Sequence, residues 1–182
     1  MNMLWWKRNP NFYKILSTIL LLVVFSLTLY IFWPKGVGEI VQKIALPELS
    51  TSGFSKVEDV SVEIIEDVGS VTLITDCYDL TATVEPWQAD SIQRGIEKTY
   101  VSRPNAHDIA ANIFETLNIE VLMVKITELR DNAYYSKLIL RQGNTVLNLD
   151  ARPSDAIAIA LRTNSTIYIN QTLLKEMGEK TC

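Results

Sequence analysis

The sequence predicts an α+β protein: a mixed, mostly antiparallel sheet with packed helices and one strand–helix–strand crossover, preceded by a single transmembrane helix. Three observations lead there. Residues 15–33 form a run of 19 residues without charge. Stretches that alternate apolar and polar residues are joined by turn sequences such as Glu66-Asp67-Val68-Gly69, Arg130-Asp131-Asn132 and Gln142-Gly143-Asn144, the signature of hairpins. Helical periodicity is confined to short stretches, only one of which sits between two strands that can run parallel, so hairpins outnumber crossovers.

The N-terminal run is long enough, at about 1.5 Å per residue, to cross a hydrocarbon core of about 30 Å. Trp5, Trp6, Tyr30 and Trp33 flank it as an interfacial aromatic belt would. Lys7, Arg8 and Lys14 precede it, and Lys35 and Lys43 follow with Glu39 between them. This bias places the N-terminus inside and the following domain outside. A cleavable signal peptide has an apolar core of about 7–15 residues and a small-residue cleavage site; this run is longer and no Ala-x-Ala follows, so an uncleaved signal anchor is expected. The chain then divides into a basic and aromatic segment (1–14), the anchor (15–33), a linker rich in Pro, Gly and Ser (34–55) and one domain (56–180).

Within the domain, 57–66 and 70–75 read as a hairpin and 80–84 as a further strand. Pro86 opens a helix to about residue 98, where proline is tolerated in the first turn. Asn105 is a good N-cap and Asp108 stands three residues on, as in a capping box; the helix runs to Leu117, with Ile109, Ile113, Phe114 and Leu117 as one apolar stripe. Residues 120–129, 133–141 and 145–150 make a meander. Then come a helix (154–162), a strand (166–169) reached by a right-handed crossover, and a short closing helix (172–177).

The chain carries −4 overall, and Lys7, Arg8 and Lys14 are the only charges of the first 33 residues, which leaves −7 for the remainder. A broad basic face for nucleic acid is thereby excluded, and phosphate contacts must come from individual arginines. Cys77 and Cys182 are the only cysteines. Without a Cys-x-x-Cys they suggest no zinc site. A disulfide is open to a domain outside the cytosol, but their spacing does not require it, and the terminal Cys182 is expected to be frayed and free.

Two Arg-Pro corners carry the polar chemistry: Arg103-Pro104-Asn105-Ala106-His107-Asp108, and Asp150-Ala151-Arg152-Pro153-Ser154-Asp155 leading into an Ala/Ile/Leu helix. Asp108, Asp150 and Asp155 are candidate ligands for Mg²⁺ or Mn²⁺, since such an ion takes one or two carboxylates plus water and substrate phosphate. Arg152 is a candidate phosphate clamp, with Arg103, Arg130 and Ser154 as further substrate contacts. His107 is the only histidine and a candidate acid or base. The bland alternatives are that Ser154, Asp155 and Asp108 only cap helices, and that Arg130 lies in a solvated turn. No phosphate-cradling loop and no serine nucleophile elbow occurs.

The order and spacing of Arg103-Pro104-x-x-His107-Asp108, Thr127-x-Leu129-Arg130-Asp131 with Tyr134-Tyr135, Asp150 to Ala158 and Ile167-Tyr168 resemble the bifunctional nuclease domain family over nearly the whole of the domain. The resemblance implies a compact α+β domain, a homodimer, and hydrolysis of DNA and RNA. Two positions depart from the family: Ala106 stands where Thr is usual, and Gln88-Ala89 where Glu-Ala is usual. Two functions follow as expectations. One is a membrane-anchored, extracytoplasmic nuclease of low sequence specificity that depends on a divalent metal, with His107, Asp108, Asp150 and Asp155 as catalytic residues. The other is a non-enzymatic dimeric interaction or ligand-sensing module tethered to the membrane.

Overall fold

The computed structural model describes residues 10–32, 47–99 and 102–182, and the chain divides into two units, residues 1–44 and 45–182. The first contains helix α1 (Pro10–Phe32), in which the described side chains are those of residues 16–26 and 28, all exposed. Among the described residues no helix is long and apolar enough to cross a membrane. The anchor expected over 15–33, and the single-pass placement with it, therefore lacks support in the structure; the side chain of Ile15 and all of Trp33 lie outside the described residues, as do Trp5, Trp6 and residues 34–46 of the expected linker.

The second unit is α+β, but its described strands form two sheets where one was expected. Strands β1 (Phe54–Lys56), β5 (Glu120–Arg130), β6 (Ala133–Gln142), β7 (Thr145–Ala151) and β8 (Thr166–Asn170) make the larger sheet, in the order β1-β8-β5-β6-β7. The only parallel pair in it is β5–β8, with Val124 opposite Ile167. Strands β2 (Asp59–Ile65), β3 (Val68–Ile74), β4 (Tyr78–Val84) and β9 (Glu179–Lys180) make an antiparallel second sheet in chain order. The helices are α2 (Pro86–Glu97), α3 (Ala106–Thr116), α4 (Pro153–Thr163) and α5 (Gln171–Met177). The expected crossover is present: α4 joins β7, at one edge, to β8 on the far side of β5 and β6.

One core unites the two sheets. Val71, Leu73 and Leu80 of the smaller sheet cluster with Val124, Ile126, Leu138 and Leu140 of the larger, and with Ile92 of α2 and Ile157 of α4. Burial of such side chains is worth about 1.5–3 kcal/mol each relative to exposure. Helix α2 lies close to both neighbours because glycine stands at the contacts: a Cβ at Gly69 would come within 2.6 Å of Ala89, and one at Gly95 within 3.0 Å of Leu161 and 3.1 Å of the Arg162 guanidinium.

Three departures from expectation have physical reasons. Residues 47–55 of the expected linker are structured. Pro47–Leu49 form a 3-10 turn and β1 pairs with β8, because the buried Lys125 reaches across to donate hydrogen bonds to the carbonyls of Glu48 and Ser50 and lies over the Phe54 ring. Burial draws the Lys125 ammonium below its ordinary 10.5. Most of the apolar stripe of α3 does not face the core: Ile109, Ile113 and Leu117 are 48%, 46% and 53% exposed and Phe114 alone of the four packs against it, while Asp108 of the same helix is buried. Finally, Cys182 is not free. It is bonded to Cys77 across a sequence separation of 105, and the tail is held by β9 pairing with Tyr78 and Asp79 and by Thr181 N–H donating to the Cys77 carbonyl.

A cross-link over a loop of that length restricts the unfolded chain by about 4–5 kcal/mol on the chain-entropy account. Replacing both Cys77 and Cys182 by serine should lower the denaturant midpoint of the chain accordingly. An unchanged midpoint would show that the bond adds nothing to stability.

Candidate functional site

The two Arg-Pro corners meet where α2, α3 and α4 converge. Asn105 caps α3 as its sequence suggests: its Oδ1 accepts from the backbone N–H of His107 (2.9 Å) and Asp108 (3.0 Å), and Asp108 Oδ2 accepts in return from the Asn105 N–H (2.8 Å). This box fixes His107 and Asp108 on the first turn of α3, one facing each part of α4.

Asp108 turns inward. Its Oδ1 accepts from Arg162 Nε at 2.6 Å, with both side chains more than nine-tenths buried. Arg162 completes its bonding on carbonyls of Ala158 (2.8 Å) and Ser91 (3.0 Å) and on Ser91 Oγ (3.3 Å). Burial alone would raise the Asp108 carboxyl, but the Arg162 hydrogen bond, the Asn105 N–H and the charges of Arg162 and Arg94 outweigh it and hold the group below its ordinary 3.8.

His107 turns toward the other end of α4. Its Nδ1 lies 2.8 Å from Ser91 Oγ and its Nε2 3.2 Å from Asp155 Oδ1. The second oxygen of Asp155 accepts from Arg152 Nε at 3.1 Å. Burial falls away outward along this chain: Ser91 is 3% exposed, the His107 side chain 12%, Asp155 29% and Arg152 70%. Asp155 is thus the carboxylate that meets solvent, held on one side by an imidazole and on the other by a guanidinium. Arg103, just before α3, is exposed.

The remaining candidates lie apart from this chain. Ser154 neither caps α4 nor faces solvent; the N-cap position belongs to Arg152, and the buried Ser154 Oγ accepts from Gln88 Nε2 at 2.8 Å. Gln88 in turn accepts the Glu85 N–H through Oε1 (3.1 Å), so both ends of its amide are used. Asp150, on β7, pairs with Lys137 of β6 at 3.1 Å and is 67% exposed. Arg130 stacks over the Tyr135 ring, 4.2 Å from its centroid, beside Glu128.

The three aspartates expected to hold Mg²⁺ or Mn²⁺ do not fit one ion. Asp108 has both oxygens taken by Arg162 and Asn105, Asp150 is tied to Lys137, and Asp155 lies between His107 and Arg152. Among the described residues no group of three His, Cys, Asp or Glu is placed to hold a metal ion. Ser91 and Arg162, which organise the corner, were not among the expected site residues. Arg162 reads in sequence as a cation in the last turn of a helix, favourable to its dipole, and Ser91 carries no local signal.

Comparison with known proteins bears on the same region. Residues 76–181 match the family model described as the bifunctional nuclease domain. An uncharacterised protein of Mycobacterium tuberculosis (strain ATCC 25618 / H37Rv) is 33% identical over 86 residues, which are 47% of this chain and 49% of that protein. Bifunctional nuclease 1 of Oryza sativa subsp. indica is 36% identical over 83 residues, 44% of this chain and 25% of the relative. Bifunctional nuclease 1 of Arabidopsis thaliana is 33% identical over 81 residues, 43% and 25%. The matched stretch thus spans about half the length of the mycobacterial relative and a quarter of the plant ones.

Asp108→Asn or Arg162→Met leaves the other partner buried and uncompensated, and each should lower stability by about 3–5 kcal/mol in denaturant unfolding. The pH dependence has a definite sign. A carboxylate lowered on folding contributes fully above its unfolded value, 3.8, and loses that contribution as pH falls through the lower folded value. The wild type should therefore lose stability below about pH 3.8 more steeply than Asp108→Asn; parallel curves would remove Asp108 from the acid transition.

Proposed function

Since the chain belongs to the bifunctional nuclease domain family, we propose that it hydrolyses phosphodiester bonds of DNA and RNA with low sequence specificity, at the corner where α3 meets α4. The observation that carries this reading is the Asp155 carboxylate, partly open to solvent and fixed through both oxygens by His107 and Arg152. Asp155 takes a proton from a water molecule as that water attacks phosphorus, and the departing sugar oxygen leaves with the bond electrons. Arg152 donates to Asp155 through Nε, which leaves its remaining N–H groups for phosphate oxygens. Arg103 adds a second cation at the neighbouring corner. In an otherwise acidic domain these local charges do what a broad basic face does elsewhere. His107 stands behind Asp155 as its orienting partner, because both ring nitrogens are engaged.

This scheme routes no step through a resident metal: Asp108 is paired with Arg162 and Asp150 with Lys137, and Asp155 serves as the base. Dependence on Mg²⁺ or Mn²⁺ is decided by comparing each ion with EDTA. The disulfide supports an extracytoplasmic site of action, and the uncharged run at 15–33 supports a membrane tether. A homodimer, or the alternative of a non-enzymatic interaction module, is supported by the exposed Ile109, Ile113 and Leu117 of α3 and Leu147 and Leu149 of β7.

The test uses the full chain on labelled single-stranded DNA and RNA, with melting temperatures to check folding. Asp155→Asn keeps the size of the side chain and its bond to His107 but removes the base, and cleavage should fall by about 10²–10⁴-fold. Arg152→Ala should weaken substrate binding and make the loss of activity with salt shallower. Cleavage undiminished in folded Asp155→Asn would refute the assignment, and a folded wild type that cleaves nothing would favour the interaction module.

A further inference from the structure

We infer that Ser91 is a positioning residue that holds His107 in a single tautomer, with its proton on Nε2 and directed at Asp155. The inference follows from hydrogen-bond valence at a buried hydroxyl. A serine hydroxyl has one hydrogen and two lone pairs. Asn105 Oδ1 is committed to the backbone N–H groups of His107 and Asp108, which only the carbonyl end of an amide can accept. The amide orientation is therefore fixed, and its Nδ2 end is the one that donates to Ser91 Oγ at 2.9 Å. Arg162 Nη2, which has only hydrogens to give, reaches the same oxygen at 3.3 Å.

Both lone pairs of Ser91 Oγ are thereby engaged. Its single hydrogen is left for the third neighbour, His107 Nδ1 at 2.8 Å, and that nitrogen must present a lone pair. A neutral imidazole with a bare Nδ1 carries its hydrogen on Nε2, and Nε2 faces Asp155 Oδ1 at 3.2 Å. With Ser91 only 3% exposed, bulk water is shut away from the hydroxyl. The helix cap of α3 thus sets an amide, the amide sets a hydroxyl, and the hydroxyl sets the histidine. Two consequences are distinct from any assignment of substrate. Ser91 is not a nucleophile, because its oxygen is buried and saturated. His107 reaches the corner as a donor, which with Arg152 on the other oxygen fixes the plane of the Asp155 carboxylate.

The test does not depend on what the corner cleaves. His107 is the only histidine in the chain, so ¹⁵N-histidine labelling of the full-length protein gives one pair of ring signals. Long-range ¹H–¹⁵N correlation, at a pH where the ring is neutral by its own shifts, separates protonated from bare nitrogens. The wild type should show a bare Nδ1 and a protonated Nε2. Asn105→Asp preserves the cap, since Asn and Asp serve equally there, but it replaces the amide donor with an acceptor. Ser91's hydrogen then turns away from the ring and the Nδ1–H form should appear. Asp155→Ala removes only the outer partner and should leave the tautomer as in the wild type. The inference stands if Asn105→Asp raises the Nδ1–H population more than Asp155→Ala does. A wild-type ring protonated on Nδ1, or an equal or larger change in Asp155→Ala, overturns it.

Discussion

The buried ion pair between Asp108 and Arg162 decides how this domain is assembled. A charge taken out of water needs a partner and a full set of hydrogen bonds. Arg162 obtains them only if α2 brings its Ser91 carbonyl alongside α4 and α3 brings Asp108 to the same place. Gly95 makes the approach of α2 possible, since a side chain there would meet both Leu161 and the Arg162 guanidinium. Helix α3 accordingly turns its Asp108 edge inward and leaves Ile109, Ile113 and Leu117 facing out. For this helix, satisfaction of a charge outranks burial of all of the apolar stripe but Phe114, the reverse of the usual amphipathic rule.

The same pair prepares the polar corner. With Asp108 and Arg162 neutralising one another inside, His107 on the neighbouring position of α3 is aimed at the other end of α4, where Asp155 and Arg152 lie near the surface. A gradient of exposure runs from Ser91 through His107 and Asp155 to Arg152. The buried end holds geometry, and the exposed end is available to water and phosphate. Two adjacent residues, His107 and Asp108, therefore serve opposite purposes: one faces the chemistry and the other is spent on the fold. The family resemblance groups them in one motif, and only their environments tell them apart.

Periphery and core are secured by different means. The Lys125 ammonium ties the carbonyls of Glu48 and Ser50 to β5 of the larger sheet, and the Cys77–Cys182 bond ties the last strand to β4. That strand contributes just two residues and sets Glu179 opposite Asp79, a like-charge pairing that opposes association. A covalent bond is the natural complement to so weak a strand.

Local signals in the sequence determined much of this protein. The alternating runs and turn residues located most of the strands, Asn105 and Asp108 announced the cap of α3, and Pro86 marked the start of α2, because each depends on backbone preferences within a few residues. The motifs also marked both corners, including His107, Arg152 and Asp155. What only the tertiary structure decided are the pairings between distant residues: Ser91 with His107, Gln88 with Ser154, Asp108 with Arg162, Lys125 with the carbonyls of residues 48 and 50, and Cys77 with Cys182. The three aspartates that the sequence had suggested as ligands of one ion likewise each meet a different partner: Asp108 meets Arg162, Asp150 meets Lys137, and Asp155 meets His107 and Arg152. The reason is that a charged or polar side chain commits itself to whatever partner the fold delivers, and sequence spacing does not record which partner that is.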